Sequence, residues 1–199
     1  MLRIVVTGGI GSGKTAVTDY LQEKGFPLID TDRMAHEITA PGGKAIPYIR
    51  EHIGEAYIRP DGSMDRDAMR NLVYNNPAAL AILEQGTTQV IIRDVHAKLA
   101  EEEAKGTRAV FLAIPLFFES GESPEDYDAI WSVIAEPDVR VRRVMARDSL
   151  TEEMVRKIMA KQVTDSIRME GSSDVIDNSG SLEALRSQVD ALLSKYGLC

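Results

Sequence analysis

The stretch Leu2–Val17, LRIVVTGGIGSGKTAV, decides how the whole chain reads. A run of branched apolar residues is followed at once by four glycines, Gly8, Gly9, Gly11 and Gly13, and then by a segment with Val17, Tyr20 and Leu21 at helical spacing. Glycine loses more backbone freedom on folding than any other residue, so such a cluster marks backbone that must turn tightly or let something approach closely. Gly8, Gly13, Lys14 and Thr15 fit the spacing GxxxxGK[ST], in which successive N–H groups turn inward around a phosphate. The helix that follows adds the positive end of its dipole, Lys14 reaches the terminal phosphates, and the Thr15 hydroxyl suits Mg²⁺. The competing reading is a chance match in an ordinary glycine-rich turn. A dinucleotide-binding loop does not fit, because Lys-Thr follows the glycines directly and no lone ribose-binding acid closes the second strand.

Outward from that loop, further short runs rich in Val and Ile recur: FPLID, AVFLAIP, AIWSVIA and DVIDN. Together with RIVVT they predict five strands of a parallel sheet covered by helices, an α/β fold of the P-loop NTPase type. The 199 residues read as one kinase-sized domain. Within it, residues 31–108 are too long for one crossover and predict a helical insert, punctuated by turns at Pro41–Gly43 and Arg59–Ser63. The long apolar-and-charged stretch from Asn76 to Gly106 predicts one helix interrupted or strained near Gly86. Residues 139–169 predict a second helical excursion resembling a lid, and Leu182–Leu193 a closing helix.

Lys plus Arg total 23 against 31 Asp plus Glu, a formal net charge of -8, so nothing draws the chain as a whole to nucleic acid or anionic membrane. Apolar residues are 44% and charged residues 27%, the balance of a globular protein. The single cysteine, Cys199, excludes an internal disulfide and a multi-Cys zinc site, and His36, His52 and His96 lack ligand spacing. The longest apolar run, AVFLAIPLFF, is too short for a bilayer, and the N-terminus lacks a leader pattern. These features predict a cytoplasmic protein, a monomer or weak homo-oligomer, without membrane or nucleic-acid partners.

LIDTD places Asp30 and Asp32 at the end of the second strand. A carboxylate there orients an acceptor hydroxyl and takes its proton in phosphoryl transfer, and Asp32 is the better placed; either aspartate also suits plain helix capping. DVRVRRVMARD sets Arg140, Arg143 and Arg147 on one helical face. Like charges so arranged repel, which predicts a polyanion gripped by Arg143 and Arg147; the alternative is a solvated face paired with Asp138 and Asp148. Thr151 caps the next helix, and the pair suits a lid that shields triphosphate from water. Trp131 and the lid methionines read as core.

TGGIGSGKT, IDTDRMAHEI followed by PGG, DGSMDRDAMRNLVY, IPLFFE, RVMARDSLTEEMVRKIMAKQ and DVIDNSG occur in an order and spacing that resembles the dephospho-CoA kinase family, nearly end to end. The resemblance implies ATP-dependent phosphorylation of the ribose 3′-hydroxyl of dephospho-CoA, with ATP and Mg²⁺. It implies that Gly11, Ser12, Gly13, Lys14, Thr15 and Ala16 bind ATP phosphates, that Asp32 positions the acceptor hydroxyl, and that Arg143 and Arg147 serve the lid side. Asn178 falls where the family's adenine loop begins, and Arg66, Leu116 and Glu119 match positions lining the acceptor region. The chain departs at Thr88-Gln89, where the family commonly carries His-Pro.

Two other functions share parts of this pattern: a small-molecule or nucleoside kinase with a different acceptor, and a nucleotide-dependent switch. The paired aspartates and the arginine helix favour catalysis, since a switch more typically uses a water-positioning Gln and partner-facing loops.

Overall fold

The computed structural model describes all of residues 1–199. The chain divides into two compact units, one of Met1–Ile29 with Glu102–Cys199 and one of Asp30–Glu101.

The first unit is built on five strands: β1 (Leu2–Gly8), β2 (Leu28–Asp30), β3 (Ala109–Ala113), β4 (Ala129–Ile134) and β5 (Asp174–Asp177), in the order β2-β3-β1-β4-β5. Both neighbours of β1 run parallel to it, Ile4 opposite Phe111 on one side and Ala129 on the other, and β5 runs parallel to β4. Every residue of β3 is buried, as are Ile4–Gly8 of β1, because helices cover both faces and neither face needs polar residues. Helices α1 (Lys14–Glu23) and α9 (Leu182–Lys195) contribute Val17, Leu21, Leu185, Val189 and Leu193 to a core around Phe111 and Trp131. The aromatic rings stack in sequence, Phe26 on Phe111, Phe111 on Trp131 and Trp131 on Tyr196, so Trp131 is core as its surroundings in the chain suggest.

Strand β1 leads towards β2 on one side of the sheet, whereas its neighbour β4 leads to β5 on the other. Connections that diverge from adjacent parallel strands leave a crevice at their carboxyl ends, the usual ligand position in such sheets. The glycine loop follows β1, and α6 (Pro137–Asp148) follows β4, so the topology brings exactly the loop and the arginine helix to that crevice's rim. Two further helices, α7 (Glu152–Ala160) and α8 (Asp165–Gly171), complete the excursion before β5. Thr151 caps α7 by accepting from the Met154 amide at 3.3 Å, and Val141, Val144 and Val155 form a small core of their own with Ile10 and Met159.

The second unit is helical: α2 (Thr31–Glu37), α3 (Ile46–His52), α4 (Arg66–Asn75) and the part of α5 (Pro77–Ala104) up to Glu101. The RPDGS turn closes a single antiparallel bridge, Ile58 to Met64. Its core gathers Ile38, Ala45, Ile46, Ile49 and Met69 against Leu83, Val90 and Ile91.

Helix α5 corrects one expectation. It runs without a break from Pro77 to Ala104, with Asn76 accepting from the Ala78 and Ala79 amides at its start. Gly86 neither kinks nor ends it; the glycine leaves a notch for Tyr48, whose ring an added Cβ would overlap. Gln89 keeps the backbone amide that a proline would remove, so the helix passes through it. Replacing Gly86 by Leu is expected to destabilise the protein by about 1–3 kcal/mol through overpacking, outweighing about 1 kcal/mol of gained helix propensity. Urea unfolding of the full chain checks this, and Tyr48→Ala in the same background should restore part of the loss.

Candidate functional site

The loop between β1 and α1 is held by its own backbone and by side chains from three later elements. Ser12 donates its amide to the Gly9 carbonyl at 3.1 Å, and Ala16 its amide to Gly13 at 2.9 Å. The Ile10 amide donates to Gln162 Oε1 at 2.9 Å, Arg140 Nε donates to the Ile10 carbonyl at 2.9 Å, and Asn178 Nδ2 donates to the Ser12 carbonyl at 2.8 Å. The amides of Gly11, Gly13, Lys14 and Thr15 make no hydrogen bond within the protein. They belong to the loop and to the first turn of α1, where orphan N–H groups and the dipole both favour an anion.

The glycines serve the protein's own packing as much as any ligand. Gly13 takes φ 90, a conformation costly for other residues, and an added Cβ would overlap the Asn178 amide. At Gly9 the space of a Cβ is filled by Arg140 Nη2 and Gln162 Oε1.

Two cations complete the cradle. Lys14 begins α1 and has no acidic partner. Arg143 Nη1 is buried without a hydrogen-bond partner, and a Cβ built on Gly13 would lie 3.7 Å from it. A buried guanidinium nitrogen without a partner near Gly13, together with the four unbonded amides, is a donor set suited to an anion.

The arginine stripe resolves into three different environments. Arg140 is 4% exposed, and its Nη1 lies 3.2 Å from both Asp165 oxygens. Burial pulls its pKa below the ordinary arginine value, and the Asp165 carboxylate opposes that shift. It is structural cement. Arg147, at the exposed end of α6, places Nε and Nη2 each 2.7 Å from the Asp148 carboxylate, and this hydrogen bonding raises its pKa. Of the three, only Arg143 has a buried guanidinium nitrogen without a partner.

Glu119 also has protein partners. Its Oε1 accepts from Arg168 Nη2 at 2.7 Å and from the Val163 amide at 3.0 Å, while Leu116 nearby in the chain is 47% exposed. In the helical unit, Asp30 Oδ1 accepts from the Arg33 amide at 3.0 Å, so Asp30 is the cap of α2 and Asp32 lies in its first turn, exposed. Arg66 is held at the other end of α2, with Nη2 on Thr39 Oγ1 at 2.7 Å. Thr88 and Gln89 are exposed on α5. The structure thus assembles Gly11–Ala16, Arg143 and Asn178 in the sheet unit, while Asp32 and Arg66 lie at opposite ends of α2 in the helical unit. Gln162 and the loop-facing role of Arg140 carried no sequence signal beyond their polarity near helix ends.

A sequence profile of dephospho-CoA kinases matches residues 2–184. The chain belongs to the dephospho-CoA kinase family. A dephospho-CoA kinase of Cupriavidus pinatubonensis is 47% identical over 198 residues, covering 98% of this chain and 95% of its own. A crystal structure from Thermus thermophilus superposes with a TM-score of 0.81 at 33% identity, covering 98% of this chain and 97% of that one. The dephospho-CoA kinase of Campylobacter jejuni shares the fold, with a TM-score of 0.70 at 24% identity over 97% and 96% of the two chains. Family membership extends across both units and decides between the acceptor classes that the glycine loop alone leaves open.

Proposed function

We propose that this member of the dephospho-CoA kinase family transfers the γ-phosphoryl group of ATP to the ribose 3′-hydroxyl of dephospho-CoA, giving coenzyme A and ADP. The observation that carries the reading is the set of donors without acceptors: four loop amides, Lys14, and a buried Arg143 Nη1. In this reading the amides of Gly11 to Thr15 and the helix dipole hold the β-phosphate. Lys14 and Arg143 face the migrating group and neutralise the charge that spreads over its oxygens. Asn178 and Ala16 border the nucleotide. Arg147 joins them by exchanging Asp148 for a phosphate oxygen.

Asp32 takes the acceptor side. Its carboxylate orients the 3′-hydroxyl in line and receives its proton, leaving Asp30 to cap α2. Arg66, Leu116 and Glu119 serve the acceptor's remaining contacts, Glu119 through Oε2, which is buried and has no partner.

The chain has no cluster of three or more His, Cys, Asp or Glu side chains able to cage a metal. The donor set, one Thr15 hydroxyl with phosphates close by, suits Mg²⁺, which binds chiefly through phosphate oxygens and water. Bound there, Mg²⁺ would supply charge neutralisation for the phosphates. No helix is long and apolar enough to cross a membrane. We place the protein in the cytoplasm as a monomer or weak homo-oligomer that does not bind nucleic acid.

A coupled assay of ADP release with dephospho-CoA, with adenosine and without acceptor tests the reading. Fast release with dephospho-CoA is expected; release that is equal without acceptor would leave only a hydrolase.

A further inference from the structure

Three side chains that touch the phosphate loop have no phosphate-binding task of their own in the chemistry above: Arg140, Gln162 and the amide of Asn178. Each lands on a loop peptide group, and the geometry of the peptide bond gives those landings a meaning. A trans peptide is planar, with its C=O and N–H pointing in opposite directions, so fixing one aims the other.

The Ile10 carbonyl shares its plane with the Gly11 amide. Arg140 Nε holds that carbonyl at 2.9 Å and thereby turns the Gly11 N–H the other way, where it meets no protein acceptor. The Ser12 carbonyl shares its plane with the Gly13 amide. Asn178 Nδ2 holds it at 2.8 Å and turns the Gly13 N–H outward, again free. The Gly9 carbonyl shares its plane with the Ile10 amide, and here both ends are fixed: Gln162 Oε1 takes the amide at 2.9 Å and the Ser12 amide reaches the carbonyl at 3.1 Å.

We propose that Arg140 and Asn178 are positioning residues that aim the Gly11 and Gly13 amides at the nucleotide by pinning the opposite ends of their peptide groups, and that Gln162 locks the preceding Gly9–Ile10 peptide so that residue 10 cannot turn. Without the pins, glycine-rich planes flip at little steric cost, and the free amides would spend time turned to solvent. The three residues are themselves fixed. Arg140 is paired with Asp165, which lies 3.5 Å from Arg168 Nη1, and Arg168 in turn is 1% exposed and bonded to Glu119. Asn178 is 6% exposed, with its own amide on the Ile134 carbonyl at 2.8 Å. Arg140 near the start of α6 and Gln162 just after α7 stand at the two feet of the α6–α7 hairpin, and both grip residue 10, whose side chain packs among Val141, Val144 and Val155. Ile10, an unconstrained position in the loop motif, is therefore where the hairpin takes hold of the cradle. The glycine at position 9 belongs to the same device, since a Cβ there would occupy the space of the Arg140 and Gln162 side chains.

The test uses the full chain with two near-isosteric variants, Gln162→Met and Asn178→Leu, because the buried Arg140 risks losing the fold. Binding of inorganic triphosphate and of adenosine is measured separately by calorimetry, with the thermal midpoint as a control. Affinity for inorganic triphosphate is expected to fall about tenfold in each variant, the scale of one misdirected charge-assisted hydrogen bond. Adenosine binding should stay unchanged in Gln162→Met, and in amide NMR spectra the downfield shift of Gly13 on adding triphosphate should shrink for Asn178→Leu. Lowered triphosphate affinity in Asn178→Leu with an unaltered Gly13 shift would overturn the aiming role of Asn178; unchanged triphosphate affinity in both variants would overturn the proposal outright. The proposal rests on the phosphate-loop reading, and the two fail differently: wild-type protein that ignores triphosphate sinks that reading, whereas variants that match a binding wild type sink only the aiming role.

Discussion

Replacing Asp32 by Asn lowers kcat by about a hundredfold or more, the usual scale for a lost acid–base group, with the KM for ATP within about twofold of wild type. The amide has nearly the shape of the carboxylate but can neither accept the hydroxyl proton nor favour the build-up of alkoxide character on the acceptor oxygen. The fold should tolerate the change. Asp32 is exposed in the first turn of α2, and the cap of that helix comes from Asp30. What is lost is a carboxylate near the positive end of a short helix, worth about 0.3–1 kcal/mol. Steady-state kinetics against both substrates, with the urea midpoint alongside, checks the prediction. A kcat within about threefold of wild type would remove Asp32 from the reaction and leave it as a first-turn acid.

The contrast between Asp30 and Asp32 shows where sequence reasoning stops. Both a cap and a candidate base were written in LIDTD, but which aspartate caps depends on where α2 begins, and helix starts are fixed by tertiary context. The strands were legible for the opposite reason. In a parallel sheet buried on both faces, nearly every side chain from Ile4 to Val6 and from Ala109 to Ala113 must be apolar, so the run announces itself. Gly86 misled because its reason lies in another helix, in the Tyr48 ring, and a local pattern carries no record of that. The three arginines share an angular face, as periodicity requires. Burial then separates them, since the start of α6 packs against the loop and α8 while its end meets solvent, leaving Arg140 inside and Arg147 on Asp148. The glycine loop was readable as a motif, whereas the side chains that hold it lie more than a hundred residues further along the chain.

Lys14→Met is expected to cost about a thousandfold in kcat/KM, a larger loss than any other single change at the cradle. Lys14 occupies the first position of α1, where the helix dipole is positive and the neighbouring amides present partial positive charge. A cation there is unfavourable on its own, and no acidic residue in the first turn of α1 offsets it. Its placement makes sense only when an anion more highly charged than the site arrives, so its contribution grows as charge accumulates on the transferring phosphoryl group. Arg143→Met should cost less, about a hundredfold, because Lys14 remains to hold the phosphates. The two losses should not add, since both cations act on one group; a double-mutant cycle would show coupling above about 1 kcal/mol. Stability moves the other way. Removing an unpaired cation from the helix N-terminus is expected to raise the thermal midpoint slightly or leave it alone, so Lys14→Met protein should be folded and nearly inactive. A variant with lowered stability and retained kcat/KM would mean that Lys14 supports the loop's structure and not the nucleotide.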